Sequence, residues 1–203
     1  MYKTFTGFFT VLAAIFSLVC RSQAQWTQTG GPPSEITALG VNGSDIFAGT
    51  IYGAYISTDN GSNWTAINNG LGIPPNSMQV NSFAFSGGSI FAGMNGGVYL
   101  STNNGSNWWS VSSGLNYATV NALALNGSDL FAGTVSNGLY ISTDNGTSWT
   151  AVNSGLTSTS VYSLTIFAGK LLAGTNYRFY NSCPLSSSFH TALCRGVPSA
   201  QVI

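Results

Sequence analysis

The feature that most constrains this chain is an eight-residue segment that occurs three times with nearly the same sequence. The copies, called the boxes below, are STDNGSNW at 57–64, STNNGSNW at 101–108 and STDNGTSW at 142–149. Each box ends in a tryptophan, and these tryptophans are spaced by 44 residues (64 to 108) and then 41 residues (108 to 149). Repetition at such a period indicates stacked copies of one small structural unit.

Each box belongs to a longer repeat that contains four short strands. In the second copy we predict strands at 80–86, 89–94, 97–102 and 108–112, separated by Gly-Gly, Asn-Gly and the box. Turn signals at this spacing, with β-branched and aromatic runs between them and no helical periodicity after residue 24, indicate an all-β protein. Four-stranded units of about forty residues predict the blades of a β-propeller.

The repeats predict about three full blades and parts of a fourth. The fourth copy offers strands at 161–166 and 170–175 and a third near 179–182, after which the pattern stops. Residues 26–29 align with 64–67, so we interpret them as the outer strand of a blade whose inner strands lie elsewhere. Two arrangements stay open at this point. One is an incomplete ring from a truncated or frame-shifted propeller, and the other is a closed four-bladed ring.

The first 24 residues differ from the repeats. Lys3 precedes a largely apolar run from 5 to 19, and small residues follow at 22–24, just before Gln25. This pattern predicts a secretory signal peptide at 1–24, and the apolar run is shorter than a membrane-spanning helix requires. The mature chain is then expected to be secreted or held at the cell surface, with no stable membrane span.

The end of the chain also departs from the repeat. We assign residues 25–182 to the propeller blades and expect 183–203 to be a disordered or frame-shifted tail, because it contains no box. Cys183, His190 and Cys194 lie in this tail, at no recognised spacing for a zinc site. Export would permit a disulfide between the two cysteines, but two cysteines do not establish one.

The scarcity of charge narrows the classes of partner. The sequence holds 5 Lys+Arg and 5 Asp+Glu, so that only 5% of residues are charged. Nucleic-acid binding requires a basic surface that displaces counterions from phosphate, and this chain offers none. An unknown protein or a glycan is therefore the expected partner, and open blade edges would add self-association.

The boxes are interpreted as structural corners. Asn-Gly tolerates the positive φ angles of a tight hairpin, Asp59 and Asp144 are expected to accept backbone N–H groups, and the tryptophan rings are expected to cover the turn. Asn103 replaces aspartate in the second box, which removes the charge that a calcium site or a general acid needs. We expect no metal or cofactor there. The structural box residues are Ser57, Asp59, Gly61, Trp64, Ser101, Asn103, Gly105, Trp108, Ser142, Asp144, Gly146 and Trp149.

The boxes resemble the Asp-box, or BNR repeat, with the pattern S-x-D-x-G-x-x-W. Residues 57–64 and 142–149 match it fully, and 101–108 match apart from Asn103. The resemblance implies a β-propeller over roughly residues 26–182. It implies less about activity, since the family includes sialidases, xyloglucanase-type glycoside hydrolases, an assembly factor of photosystem II, sortilin-like receptors and secreted bacterial proteins without known catalysis.

Enzymatic activity is not expected. Sialidases of this family hold the substrate with three arginines, whereas this chain keeps only Arg178 and Arg195 after the predicted signal. A glycosidase needs two facing carboxyl groups, and four of the five carboxylates are assigned to turns (Asp45, Asp59, Asp129 and Asp144), which leaves only Glu35. We therefore assign no catalytic residue.

The sequence thus predicts a secreted, non-catalytic propeller module for binding or surface display, derived from a larger exported protein. The alternative is the remnant of an Asp-box glycoside hydrolase, sialidase-like or xyloglucanase-like, that lacks its catalytic residues. Because the box tryptophans are committed to the corners, other aromatic residues are the candidates for exposed contacts, and packing inside the blades is the alternative role for each of them. These are Trp109, Tyr52, Tyr55, Tyr99, Tyr117 and Tyr140.

Overall fold

The computed structural model describes residues 29–72, 78–182 and 184–185. The predicted signal peptide at 1–24 lies outside the described residues, as do residues 26–28 and the cluster of Cys183, His190 and Cys194. The regular elements are fifteen β-strands in four antiparallel sheets, and the described residues contain no helix.

Within each sheet the strands are neighbours in chain order. The first sheet holds β1 (Ile36–Asn42), β2 (Asp45–Thr50), β3 (Gly53–Ser57) and β4 (Thr65–Ala66), and the second holds β5 (Val80–Ser86), β6 (Ser89–Met94), β7 (Gly97–Ser101) and β8 (Trp109–Ser110). The third holds β9 (Val120–Asn126), β10 (Asp129–Thr134), β11 (Leu139–Ser142) and β12 (Thr150–Ala151). The fourth holds β13 (Val161–Phe167), β14 (Lys170–Thr175) and β15 (Phe179–Asn181).

The predicted fold is confirmed: three four-stranded blades and a three-stranded fourth form a partial β-propeller. The outer strands are shorter than predicted, since β8 covers 109–110 instead of 108–112. Residues that were predicted to lie in this strand but lie outside β8 make other contacts. Trp108 contacts the preceding blade, and the Oγ atom of Ser112 accepts a hydrogen bond from the backbone N–H of Val98 (2.9 Å).

The hydrophobic core lies between neighbouring blades. Each of the first three blades contributes one fully buried phenylalanine from its second strand: Phe47, Phe91 and Phe131. Phe47 contacts Phe83 and Phe85 of the next blade, and the ring centroids of Phe47 and Phe85 are 5.3 Å apart. Blade-to-blade packing of large apolar residues therefore holds the array together.

A recurring glycine permits this close packing. A Cβ atom at Gly93 would lie 2.7 Å from a Val120 methyl carbon, and one at Gly133 would lie 2.6 Å from a Val161 methyl carbon. Both valines begin the inner strand of the following blade. The Phe-Ala-Gly signature therefore marks a position where only a hydrogen atom fits.

The inner strands are also joined by polar contacts. Thr37 Oγ1 donates to the Val80 carbonyl (2.5 Å), and Asn81 Nδ2 donates to the Val120 carbonyl (3.0 Å). Asn121 Nδ2 repeats the contact at Val161, at 3.3 Å. Each donor is the second residue of an inner strand, and each acceptor is the first residue of the next.

The array is open at both ends in the described residues. Leu39 of the first blade is 70% exposed, whereas Leu123, at the same position in the third blade, is buried. Phe179 of the fourth blade is 69% exposed, whereas the equivalent Val98 is fully buried. The closed four-bladed ring is therefore not formed by these residues, and two blade faces lack the neighbour for which they are shaped.

Candidate functional site

Each box forms a tight turn at its Asn-Gly centre. In the first box, Asn60 and Gly61 have φ angles of 58° and 84°, and the N–H of Ser62 donates to the carbonyl of Asp59 (3.3 Å). The second and third boxes repeat these angles within a few degrees. Two consecutive positive φ angles closed by this hydrogen bond match a type I′ turn, the geometry that Asn-Gly favours.

A buried serine hydroxyl organises each turn. The N–H of Gly61 donates to Ser57 Oγ (2.8 Å), and Ser57 Oγ donates to Asp59 Oδ1 (2.9 Å). Ser101 and Ser142 make the same pair of contacts in the second and third boxes. Each box serine hydroxyl therefore accepts one hydrogen bond and donates another inside its own turn.

The two box aspartates are held in their ionised form. The backbone and side-chain N–H groups of Asn63 donate to Asp59, at 2.8 and 2.7 Å, and these bonds lower the pKa of its carboxyl group. The hydroxyl and backbone N–H of Ser148 donate to Asp144, at 2.6 and 2.9 Å, and together with Ser142 they lower its pKa to about 2. A carboxylate with so low a pKa is a poor general acid.

Asn103 shows that the turn does not need a charge. Its Oδ1 accepts the hydroxyl of Ser101 (3.0 Å) and the N–H of Asn107 (2.9 Å), which are the contacts made by Asp59 Oδ1 in the first box. The shared chemistry is a short side chain with an acceptor oxygen.

The box tryptophans differ from the expectation that each ring covers its own turn. Trp108 Nε1 donates to the Ile67 carbonyl of the preceding blade (2.8 Å), and its backbone N–H donates to Asn69 (2.9 Å). Trp149 makes the equivalent contacts with Val111 and Ser113. Only Trp64, which is half-buried, donates to its own turn, at Gly61 (3.1 Å).

The sequence reasoning missed one recurring structural position. Asn68, Ser112 and Asn153 each use a side-chain oxygen to accept the N–H of a third-strand residue, namely Ala54 (2.8 Å), Val98 (2.9 Å) and Leu139 (2.7 Å). Each lies four residues after its box tryptophan. The recurrence of Asn or Ser at this position is the sequence signal from which the contact could have been predicted.

The remaining carboxylates are Asp45, Asp129 and Glu35, and none of them lies in a box. Asp45 accepts a hydrogen bond from Asn104 of the next blade (2.8 Å), Asp129 occupies the equivalent hairpin, and Glu35 is exposed. Within residues 29–72, 78–182 and 184–185 no three His, Cys, Asp or Glu side chains are grouped as metal ligands would be.

The predicted contact aromatics separate into different environments. Trp109, Tyr99 and Tyr117 line one groove on the second blade, whereas Tyr52 is exposed elsewhere and Tyr55 is half-buried in β3. Tyr140 was a candidate either for an exposed contact or for packing inside the blades, and the structure shows the packing. Its ring is buried between the second and third blades, where it contributes to the core.

The groove, which we call the aromatic groove, has a volume of about 1000 Å³. Trp109 is 53% exposed and Tyr117 is 91% exposed, so both rings are available to a ligand. The lining contains no charged residue; it consists of Gly70, Asn95, Gly96, Tyr99, Trp108, Trp109, Ser110, Ser112, Ser113, Gly114, Asn116 and Tyr117.

Tyr117 is displayed by an unusual turn. Asn116 and Tyr117 have φ angles of 50° and 56°, and the N–H of Ala118 donates to the Leu115 carbonyl (3.0 Å). Positive φ is uncommon for a bulky residue, and such backbone strain concentrates at functional sites. The third repeat has neither aromatic, with Thr150 at the position of Trp109 and Ser158 at that of Tyr117.

Comparison with known proteins identifies the fold family. Residues 22–170 match the model of the DUF6242 beta propeller domain. No curated protein matches the sequence. Among the described residues there is no helix long and apolar enough to cross a membrane.

Solved structures share the blade arrangement at low sequence identity. The extracellular domain of BT4673 from B. thetaiotaomicron superposes with a TM-score of 0.64 and 20% identity, over 76% of this chain and 22% of that chain. The computationally designed Ika4 protein gives 0.61 and 15%, over 79% and 98%. The GH74 xyloglucanase from Xanthomonas campestris gives 0.55 and 17%, over 69% and 27%.

The present chain thus spans about a quarter of either natural neighbour. Identities of this size establish a shared fold and nothing finer. Together with the family match over 22–170 and the four observed blades, they lead to one conclusion: the chain belongs to the DUF6242 β-propeller domain family.

Proposed function

We propose that this protein is a secreted, non-catalytic Asp-box propeller module that binds an uncharged polar ligand, an oligosaccharide, in the aromatic groove. The observation that carries the proposal is the exposure of Trp109 and Tyr117 on a groove lined only by neutral residues. Aromatic faces supply apolar contact to the C–H faces of sugar rings. Ser and Asn side chains supply hydrogen bonds to the hydroxyl groups.

The distribution of carboxylates supports a non-catalytic role. Asp59 and Asp144 are hydrogen-bonded inside their own turns, and Asp45 is bonded to Asn104. Glycoside hydrolysis requires one carboxyl group that gives up a proton near neutral pH and a second that faces it. The aromatic groove has no carboxyl group at all, so binding without bond cleavage is the chemistry that it favours.

Export is part of the same proposal. It rests on the charge, the apolar run and the small residues of 1–24. The neighbour BT4673 is also described as an extracellular domain. N-terminal sequencing of the protein recovered outside producing cells tests this, with Gln25 expected as the first residue. Retention of Met1 on all of the exported protein would contradict it.

A glycan array tests binding by the groove. We expect selective retention of a set of neutral oligosaccharides, and loss of that retention by at least tenfold in Trp109→Ala and Tyr117→Ala. The matched control is Tyr52→Ala, because Tyr52 is 63% exposed but lies outside the groove.

Two results would overturn the glycan assignment. One is the absence of selective retention on the array. The other is retention that Tyr52→Ala reduces as much as Trp109→Ala does. Release of reducing sugar from a bound glycan by the purified protein would overturn the non-catalytic assignment and favour the glycoside hydrolase alternative.

A further inference from the structure

We propose that two copies of this chain join head to tail, with the fourth blade of each copy packed against the first blade of the other, into a closed eight-bladed ring. The proposal starts from the two uncovered faces. The first blade presents Ile36, Leu39 and Val41, and the fourth presents Phe179. All four are large apolar side chains left exposed in the described residues.

The blade interfaces inside the chain show how these two faces fit. Between the first and second blades, Phe83 and Phe85 of the inner strand pack against Phe47. Leu39 and Val41 occupy the positions of Phe83 and Phe85, and Leu172 of the fourth blade occupies the position of Phe47. The uncovered faces are therefore further copies of two surfaces that already pack together within one chain.

The glycine positions point to the same arrangement. Gly49, Gly93 and Gly133 each lie under the first residue of the next inner strand, which is Val80, Val120 or Val161. Among the described residues, a Cβ atom at Gly174, the fourth member of this set, would meet only Ser163 of its own blade. Ile36 is the first residue of an inner strand and is 42% exposed. In the second copy it would fill the space above Gly174.

The outer edge of the fourth blade has no partner strand among the described residues. Within them the fourth sheet ends at β15, whereas the other three sheets have a fourth strand. Gly30, which follows the sequence-predicted outer strand at 26–29, runs beside Ser62 of the first box. In the same way, Ile67 of the first blade runs beside Gly105 of the second box. The chain at Gly30 thus lies against the first box much as the chain at Ile67 lies against the second box.

The number of copies follows from the range of closed propellers. Such rings hold about four to eight blades. One copy supplies four blades that do not close in the described residues, two copies supply eight, and three would supply twelve. A head-to-tail contact that closes forms a ring, and one that does not close grows without limit. Two copies are the only number that meets both conditions.

The test is the mass of the purified protein in solution, measured by light scattering and sedimentation velocity over a hundredfold range of concentration. We expect a species of twice the chain mass that dissociates on dilution and no larger species. Leu39→Lys and Phe179→Lys, which alter opposite faces, are each expected to raise the dissociation constant at least a hundredfold. Ser136→Lys is the control, since it places the same charge at an exposed site on the third blade, which forms neither face.

Each outcome of this test shows what covers the two uncovered blade faces. A monomer at every concentration overturns the proposal, because the faces are then covered within one chain or stay exposed. Assemblies that grow with concentration overturn the closed ring. Unchanged mass in both lysine variants overturns the assignment of these faces. Circular dichroism of each variant confirms that it folds, and two variants on different faces keep the test valid if one does not.

Discussion

The indole Nε1 of Trp108 lies 2.8 Å from the carbonyl oxygen of Ile67 and donates a hydrogen bond to it across the boundary between the first and second blades. The backbone N–H of Trp108 donates to Asn69 two residues further on. A residue in a turn motif thus acts as a clamp between neighbouring blades. The same clamp recurs at Trp149, and this explains why the boxes recur with the period of the blades.

The clamp predicts a graded effect of replacing the tryptophans. Trp108→Phe removes a buried donor, leaves the Ile67 carbonyl without its partner and opens space, so the free energy of unfolding should fall by about 2–3 kcal/mol. Trp64→Phe should cost only about 1 kcal/mol, because Trp64 is half-buried and bonds only to its own turn. Urea denaturation of dilute protein measures both. Equal losses would contradict the clamp.

Asp144 is predicted to titrate far below an ordinary aspartate. Hydrogen bonds from Ser148 and Ser142 to the ionised form lower its folded pKa to about 2, against 3.8 for an aspartate without such partners. Since the folded pKa is the lower one, this contribution to stability is fully present above pH 4 and is lost as the pH falls towards 2. The carboxyl ¹³C shift, followed by NMR, gives this pKa directly.

Asp144→Asn is the matched variant for that titration. The variant should fold, since Asn103 fills the same position in the second box, and its stability should vary less with pH between 4 and 2. An unaltered pH profile would show that Asp144 does not carry this dependence.

Ala168 is predicted to be a weak point of the fourth blade. Its φ is 50°, whereas Gly43, Gly87 and Gly127 hold the equivalent hairpin position at 57° to 62°. Ala168→Gly should raise the free energy of unfolding by about 0.5–1 kcal/mol, because glycine reaches positive φ without a steric penalty. Gly127→Ala should have the opposite sign. Thermal denaturation checks the pair, and a loss of stability in Ala168→Gly would contradict the strain.

The glycine at the end of the Phe-Ala-Gly signature packs against the next blade, and this contact predicts the effect of adding a methyl group there. A methyl group at Gly133 would lie 2.6 Å from a side-chain carbon of Val161, so Gly133→Ala should cost about 1–3 kcal/mol through overpacking. Gly174→Ala should cost less, because the added methyl group meets only the Ser163 hydroxyl, which can rotate away. Chemical denaturation of dilute protein distinguishes the two, and a larger loss for Gly174→Ala would contradict the packing.

The strands and turns could be predicted from the sequence because the pattern that specifies them occurs in four copies. Asn-Gly, Phe-Ala-Gly and alternating apolar residues each have a local physical meaning that recurs at equivalent positions. The clamp at Trp108 was not predicted, since its partners Ile67 and Asn69 belong to the preceding blade and the repeat pattern does not place neighbouring blades relative to one another. Which of the candidate aromatics is buried was also not predictable, because the neighbours of Tyr140 include residues of another blade.

The position of the aromatic groove could not be predicted from the sequence. Trp109 and Tyr117 were named from the sequence as contact candidates, but only the fold places both in the lining of one groove. The signal that distinguishes them is departure from the repeat, because the third copy has Thr150 and Ser158 in their places. In a repetitive chain, residues that recur at equivalent positions indicate the fold. Residues that depart from the repeat indicate candidate binding sites.

Hydrogen exchange of the indole N–H groups, followed by NMR, tests the clamp most directly. The account predicts slow exchange at Trp108 and Trp149, whose indoles donate across blade boundaries, and fast exchange at Trp109, which is half-exposed in the groove. Exchange at Trp108 and Trp149 as fast as at Trp109 would contradict it.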